Sequence, residues 1–115
     1  MITNFEKITH ELNEYEKNEI LPIMLNALSY KVGVENVVSN KQMKLGLKTL
    51  GYKVNDVRIR KLIHYIRVKK LIKNLIANSK GYYIATEKIE IDNFIESLQQ
   101  RVNSIETVRQ SFIKK

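Results

Sequence analysis

The segment NDVRIRKLIHYIR (residues 55–67) limits the fold of this chain more than any other stretch. Its apolar side chains recur at the i, i+3, i+4, i+7 spacing that places them on one face of an α-helix. Asn55 is a good N-cap, so a helix is predicted to begin there and to run to about residue 70. The face that must be buried against other elements comprises Ile59, Leu62, Ile63 and Ile66.

The rest of this helix carries positive charge opposed by one acid, Asp56. At about 100° per residue, four side chains are predicted on the outer side and two on a flank. The outer set is Arg60, Lys61, His64 and Arg67, and the flank set is Arg58 and Tyr65. The charge is therefore predicted to point away from the core.

The net charge of +8 is concentrated in the central third of the chain. Residues 40–80 contain twelve Lys and Arg and one acid, whereas residues 1–39 sum to −3 and residues 81–115 to zero. A lysine-rich surface that only keeps a protein in solution would be spread along the chain. Focused charge raises the local potential and favours a polyanion as the partner.

The chain lacks the residue patterns of several other classes of protein. It has 115 residues, enough for one domain, and no cysteine, which excludes disulfides and thiolate metal sites and fits a reducing cytoplasm. It has no apolar run of the roughly 20 residues that cross a bilayer. No phosphate-binding glycine loop, paired-carboxylate site or nucleophile constellation is recognisable, and its two histidines, His10 and His64, are accompanied by no cysteine. We therefore expect a protein that is not an enzyme and needs no cofactor, metal or membrane.

Two helices are predicted before residue 55. Residues 1–13 form an arm or a short helix, and Asn13 with Glu16 resembles a capping box for the helix that follows. Pro22 predicts either a kink in that helix or a fresh start near Leu21. A second helix is predicted between the capping box of Ser39 with Gln42 and a glycine C-cap at Gly51.

A β-hairpin and a long helix are predicted after residue 70. The β-prone runs NLIAN and YYIAT flank SKG, with Gly81 available for a positive φ. Tyr82 and Tyr83 alternate across a strand, so one is expected to pack inward and the other to cover the hairpin. Thr86 is predicted to cap a long amphipathic helix over residues 87–115.

Together, the runs SNKxM, VRIRKLIHYIR and LIANSKGYYIAT resemble the winged helix-turn-helix superfamily over residues 14–86, and in particular small winged-helix proteins of bacteriophages and prophages. The resemblance implies a mainly α fold with a small β-hairpin (α+β) and, here, a long C-terminal helix. In such families helix 3 enters the DNA major groove and the wing contacts the backbone or the minor groove. It also implies a cytoplasmic protein of a bacterial or phage-infected host cell, a transcriptional regulator or a replication accessory factor.

The candidate DNA contacts follow from what each side chain can bind. Arg pairs with two acceptors of guanine, and Lys and Arg neutralise phosphates. The candidate base-facing residues are Arg58, Arg60, Lys61 and His64. The candidate phosphate contacts are Lys41, Lys44, Lys69 and Lys70, and those of the wing are Lys73 and Lys80, with Asn78 and Ser79 as hydrogen-bonding groups. Lys48 and Lys53 are predicted to be solvated instead.

The C-terminal helix has apolar residues every seven positions, at Ile91, Leu98, Ile105 and Phe112. This spacing favours pairing with another helix. The helix is expected either to pack over the first helix or to form a homodimer through its distal half, with Leu98, Val102, Ile105 and Phe112 in the contact. A dimer suits a pseudo-palindromic DNA site.

Two functions remain open on the sequence. The leading one is binding of double-stranded DNA through helix 3 and a basic wing. The alternative is a winged-helix adaptor whose basic surface binds an acidic protein partner, because winged helices serve both purposes and fold alone does not decide between them.

Overall fold

The fold is mainly helical, with a small antiparallel sheet, in a computed structural model that describes residues 12–113. The predicted N-terminal arm therefore lies almost wholly outside the described residues. The helices are α1 (Leu21–Leu28), α2 (Asn40–Thr49), α3 (Asp56–Val68) and α4 (Lys88–Ile113), and the strands are β1 (Leu75–Asn78) and β2 (Gly81–Ile84). The predicted α+β class is confirmed at this level.

Pro22 shapes the start of α1. Because proline has no backbone N–H, it cannot make the usual bond to the fourth residue before it. A wide π-helical turn, Glu16–Ile20, precedes α1, and the Leu21 N–H donates to the Glu16 carbonyl five residues earlier. Pro22 then lies in the first turn of α1, where a missing N–H is harmless. The chain therefore stays helical through Pro22, with Ile20 and Leu21 both in helical conformation, and the π-helical turn takes the place of a break. Of the two predicted outcomes, the single helix with an irregularity near Pro22 is the one found, and no fresh helix starts at Leu21.

Helices α2 and α3 begin at the predicted residues, and α2 ends at the predicted glycine, while α3 ends at Val68, slightly before the predicted residue 70. The Ser39 Oγ accepts from the Gln42 N–H at 3.1 Å, while the Gln42 Oε1 accepts from the Ser39 N–H at 2.9 Å. Gly51, at φ +94°, ends α2, and the Asn55 Oδ1 accepts from the Arg58 N–H at 2.8 Å to cap α3. Both caps and the glycine stop are confirmed.

The hairpin is confirmed as well, and a third segment joins it. Tyr83 pairs with Ile76, and Asn78 with Gly81, across β1 and β2. On the other edge of β2, Tyr82 exchanges backbone hydrogen bonds of 2.8 and 2.9 Å with Val38. The segment between α1 and α2, which contains a 3₁₀ turn at Val34–Asn36, is thereby tied to the sheet.

The main core lies between α1, α2 and α3. It contains the predicted face of α3 together with the inner sides of the other two helices. Its most deeply buried members are Ile20, Leu28, Ile59, Leu62, Ile63 and Ile66. The outward side of α3 is thereby fixed in position.

A second, smaller cluster attaches the start of α4 to the hairpin. Ile91 and Phe94 pack on Ile76, Tyr83 and Ala85. The predicted role of Thr86 as the cap is wrong, because α4 begins at Lys88 and the Thr86 hydroxyl donates to Glu90. The Glu90 carboxylate also accepts from the backbone N–H groups of Thr86 and Glu87 at 3.1 and 3.0 Å. No side chain of α4 is fully buried.

Candidate nucleic-acid interface

One face of α3 points to solvent. Val57, Arg60, His64 and Val68 are exposed and lie three, four and four residues apart, which places them on one side of the helix. Val57 is 68% exposed, which is a large exposed fraction for an apolar side chain on a helix. We call these four residues the outer face of α3.

Two of the predicted base-facing cations are engaged elsewhere. The Arg58 Nε donates to the Glu16 Oε2 at 3.1 Å, and the Lys61 Nζ donates to the Glu16 Oε1 at 2.9 Å. The Glu16 side chain is only 3% exposed. The predicted outer position of Lys61 is wrong, and the positive charge of both residues is directed at this buried carboxylate.

The carboxylate of Glu16 is held in its charged form. Burial by itself raises the pKa of this carboxyl, but the hydrogen bond from the Asn13 N–H and the bonds and charges of Lys61 and Arg58 outweigh it. The net pKa is therefore lowered from its usual value. The charged Glu16 therefore holds the side chains of Lys61 and Arg58 on the side of α3 that faces the helical turn containing Glu16.

Arg67 also departs from its predicted position on the outer side. Its guanidinium lies 5.4 Å from the ring centre of Tyr82 and 5.2 Å from that of Phe94, and its Nε donates to the Leu75 carbonyl at 3.2 Å. Burial lowers the pKa of Arg67 from its usual value. Arg67 thus joins α3 to the hairpin and to α4, and the prediction that it points outward is wrong.

Four lysines surround a concavity of about 630 Å³ next to the N-terminus of α3. They are Lys41, Lys44, Lys48 and Lys53. Asn55, the N-cap of α3, also lines this space, so the positive end of that helix is adjacent to it. The Lys44 Nζ lies 3.3 Å from the Asp56 carboxylate, which offsets part of the charge. We call this feature the lysine concavity; Lys48 and Lys53, predicted to be merely solvated, belong to it.

The remaining predicted contacts lie after α3 and around the hairpin. Lys69, Lys70 and Lys73 are exposed between α3 and β1, and the Lys69 Nζ lies 6.0 Å from the Tyr65 ring centre. Lys80 is exposed at the hairpin turn, next to the exposed Ser79. The Asn78 Oδ1 accepts from the Lys80 and Gly81 N–H groups at 2.8 and 3.2 Å, so this amide oxygen shapes the turn.

The candidate interface therefore combines the narrow outer face of α3 with lysines that precede α3 in the sequence and lysines that follow it. Sequence reasoning missed Val57 as an outward residue, although its spacing to Arg60 and His64 was the available signal. It also missed Glu16, since nothing local indicates which cations a distant acid will bind. Within residues 12–113, no group of three or more His, Cys, Asp or Glu is arranged to hold a metal ion. In the same range, every helix is too short or too polar to span a bilayer.

Comparison with known proteins identifies no relative of this chain. The chain matches no protein-family profile, no curated protein and no solved structure.

Proposed function

We propose that this chain is a sequence-specific, double-stranded DNA-binding protein of the winged helix-turn-helix type. The observation that carries the proposal is the position of the lysine concavity directly beside the N-terminus of α3, whose outer face presents Arg60 and His64. A DNA duplex presents phosphates next to the edges of its bases. The lysine concavity suits the phosphates, and the outer face of α3 suits the base edges. The same proposal includes the role of the protein, which is that of a phage-type transcriptional regulator or a replication accessory factor.

In this proposal α3 enters the major groove with its N-terminal half. Arg60 donates to the O6 and N7 acceptors of a guanine, and Val57 packs on a thymine methyl group, the two kinds of base contact that such side chains make. His64 lies one turn further along the same face. The base-facing set is therefore narrower than the sequence predicted, because Arg58 and Lys61 are engaged with Glu16.

Phosphate contacts come from the lysines that flank α3. Lys41, Lys44, Lys48 and Lys53 receive one strand at the lysine concavity, where the helix dipole adds to their charge. Lys69, Lys70 and Lys73 follow the helix, and β1 with β2 forms the wing, with Lys80 at its tip. These contacts position the helix and carry no base information.

The first test is a fluorescence anisotropy titration with a mixed-sequence duplex pool at several salt concentrations. The log–log slope of affinity against salt is expected to be about −7 if each of these eight lysines neutralises one phosphate, at about −0.9 per phosphate. Replacing Lys48 and Lys53 by Gln should make the slope about 2 less steep. An affinity that does not depend on salt, or no binding to any duplex, contradicts the proposal.

The second test separates reading of bases from folding, using a preferred site selected from random duplexes. Arg60→Ala is expected to weaken binding to that site by about 1–3 kcal/mol with unchanged stability. Arg58→Ala should instead lower the free energy of unfolding, because it leaves Glu16 with one cation fewer. Lys17→Ala, which removes an exposed cation among the acids of the first turn, is the control for charge alone. Equal losses of affinity in Arg60→Ala and Lys17→Ala would show that Arg60 reads no base.

The adaptor function makes a different prediction. If the basic surface binds an acidic protein, a nuclease-treated extract should yield a stoichiometric acidic partner, and its capture should depend on Lys48 and Lys53. That result, together with no binding to any duplex, would replace DNA by a protein as the ligand.

A further inference from the structure

We infer that the distal part of α4 forms a parallel two-stranded coiled coil with a second copy of this chain. The inference does not depend on DNA binding, because it rests on residues 95–113 and not on the basic surface. The partner is specified by the pattern of apolar and charged side chains along this helix.

A continuous apolar stripe runs along α4 beyond its attachment to the hairpin. Ile91 and Phe94 are partly covered by the hairpin, whereas the apolar side chains after Phe94 are exposed. From Ile95 to Ile105 they alternate at spacings of three and four residues, as in a coiled-coil seam, and the last one, Phe112, follows seven residues later. The seam residues are Ile95, Leu98, Val102, Ile105 and Phe112, and Val108 and Ile113 flank it. From Leu98, at 39%, to Phe112, at 78%, every one of the seven is more than one third exposed.

The residue types at the seam favour two parallel strands. If Leu98, Ile105 and Phe112 are d positions, then Ile95 and Val102 are a positions, and both are β-branched. β-branched residues at a with leucine at d favour a parallel dimer, and Ile95, Leu98 and Val102 follow this pattern, whereas Ile105 and Phe112 at d depart from it. The third a position is Arg109, whose guanidinium is held by Glu106 on its own helix at 3.0 and 2.8 Å.

The charged residues beside the seam complement one another between two copies. In this register Arg101 is a g residue and Glu106 is the e residue five positions later, the pairing that links g to e between parallel helices. Among the described residues, Arg101 makes no ion pair, whereas Glu106 is shared with Arg109. An antiparallel pair would instead place Arg101 against another g residue.

The exposed apolar surface of the distal part of α4 is close in area to what each partner buries in a specific dimer. Seven large side chains that expose roughly 100 Å² each offer about 700 Å² of mainly apolar surface per chain. A standard interface buries about 800 Å² per partner. The helix beyond Ile95 is about 28 Å long, fewer than three heptads, so a monomer–dimer equilibrium in the micromolar range is expected.

The experiment is sedimentation velocity on the full chain, without DNA, from about 1 to about 200 μM. The wild type should pass from monomer to dimer over this range. Ile105→Glu should weaken the dimer at least tenfold, and Val102→Lys should do the same. Ser104→Glu, which adds the same charge on the same helix away from the seam, should change the dissociation constant less than twofold. A wild type that stays monomeric at the highest concentration, or an effect of Ser104→Glu equal to that of Ile105→Glu, overturns the inference.

The parallel direction has its own test, since the chain has no native cysteine. Ile105→Cys and Phe112→Cys should both yield disulfide-linked dimers under mild oxidation, because each d residue faces its own copy. If only Ile105→Cys forms a linked dimer, the helices are antiparallel and the proposed direction is wrong. Because DNA is absent from both experiments, a monomer that binds duplexes would overturn the dimer alone, and a dimer that binds none would overturn the proposed function alone.

Discussion

The buried carboxylate of Glu16 connects the start of the described chain to α3. It accepts hydrogen bonds from the Asn13 N–H, the Lys61 Nζ and the Arg58 Nε. These hydrogen bonds are stronger to the ionised carboxylate than to a neutral carboxyl. Protonation removes the attraction to two cations that are themselves half-buried.

Stability is therefore expected to depend on pH through Glu16. Because its pKa is lowered in the folded chain, the stabilisation is fully present above the ordinary carboxyl value of 4.5 and is lost as the pH falls through the lowered value. Glu16→Gln should reduce the free energy of unfolding by about 1–3 kcal/mol at pH 7 and by less at pH 3. Urea denaturation of both proteins at the two pH values measures this difference.

A matched variant isolates the effect. Glu14→Gln changes an exposed acid in the same turn and should leave stability at pH 7 within about 0.5 kcal/mol of the wild type. The pKa values of Glu90, lowered first by the Glu87 N–H, and of Glu106, lowered first by Arg109, affect all three proteins alike. A Glu16→Gln cost that is the same at pH 3 and pH 7 would contradict this assignment.

The hairpin depends on the close approach of one backbone to another. Gly81 has φ +145°, and a Cβ at this position would lie 2.1 Å from the Val38 carbonyl oxygen. Gly81→Ala is therefore expected to cost about 2–3 kcal/mol and to loosen the contact between β2 and Val38. Thermal and urea unfolding measure the loss.

Gly46 provides the comparison for that substitution. It lies inside α2, and an added Cβ there would have no atom within 4 Å. Gly46→Ala should stabilise the chain by about 0.5–1 kcal/mol, because alanine is the better helix former. Equal effects of the two substitutions would mean that the approach of Val38 does not constrain position 81.

Most elements were predictable because their signals are local. Ser39 with Gln42, Asn55 and Gly51 act on backbone groups within a few residues, so their sequence spacing determines the caps. The core face of α3 followed from its periodicity in the same way. The Thr86 cap failed because α4 begins two residues later, at Lys88, and the Thr86 hydroxyl donates to the Glu90 carboxylate instead of accepting a backbone N–H of the helix.

The candidate site was less predictable because its partners are distant in sequence. Glu16 is 42 residues from Arg58 and 45 from Lys61, and no pattern along α3 indicates it. A helical projection also placed Arg67 outside, since it includes neither the hairpin nor α4. Lys48 and Lys53 are brought to one concavity by the turn after Gly51, which sequence spacing alone does not resolve.

At the scale of the whole molecule, α4 extends the protein beyond its core. The radius of gyration is 16.2 Å and the longest dimension 52 Å, against a radius of about 13 Å for a compact domain of this length. The helix itself is about 39 Å long. Its attachment to the rest of the fold is concentrated at Ile91 and Phe94.

A chain shortened to end at Ser97 should therefore keep its fold. Measured at low micromolar concentration, its free energy of unfolding is expected within about 1 kcal/mol of the full chain, because the large apolar side chains removed, from Leu98 to Ile113, are exposed. At high concentration only the full chain should gain stability, through self-association. A loss above about 3 kcal/mol at low concentration would mean that the distal helix packs on its own core.

The π-helical turn at Glu16–Ile20 has a consequence for sequence alignment. Such a turn holds one residue more than an α-helical turn, so it is equivalent to a single-residue insertion in a helix. A relative without proline at this point is expected to be one residue shorter between the equivalents of Asn13 and Met24. An alignment that places this gap correctly will keep Glu16 in register with its two cations.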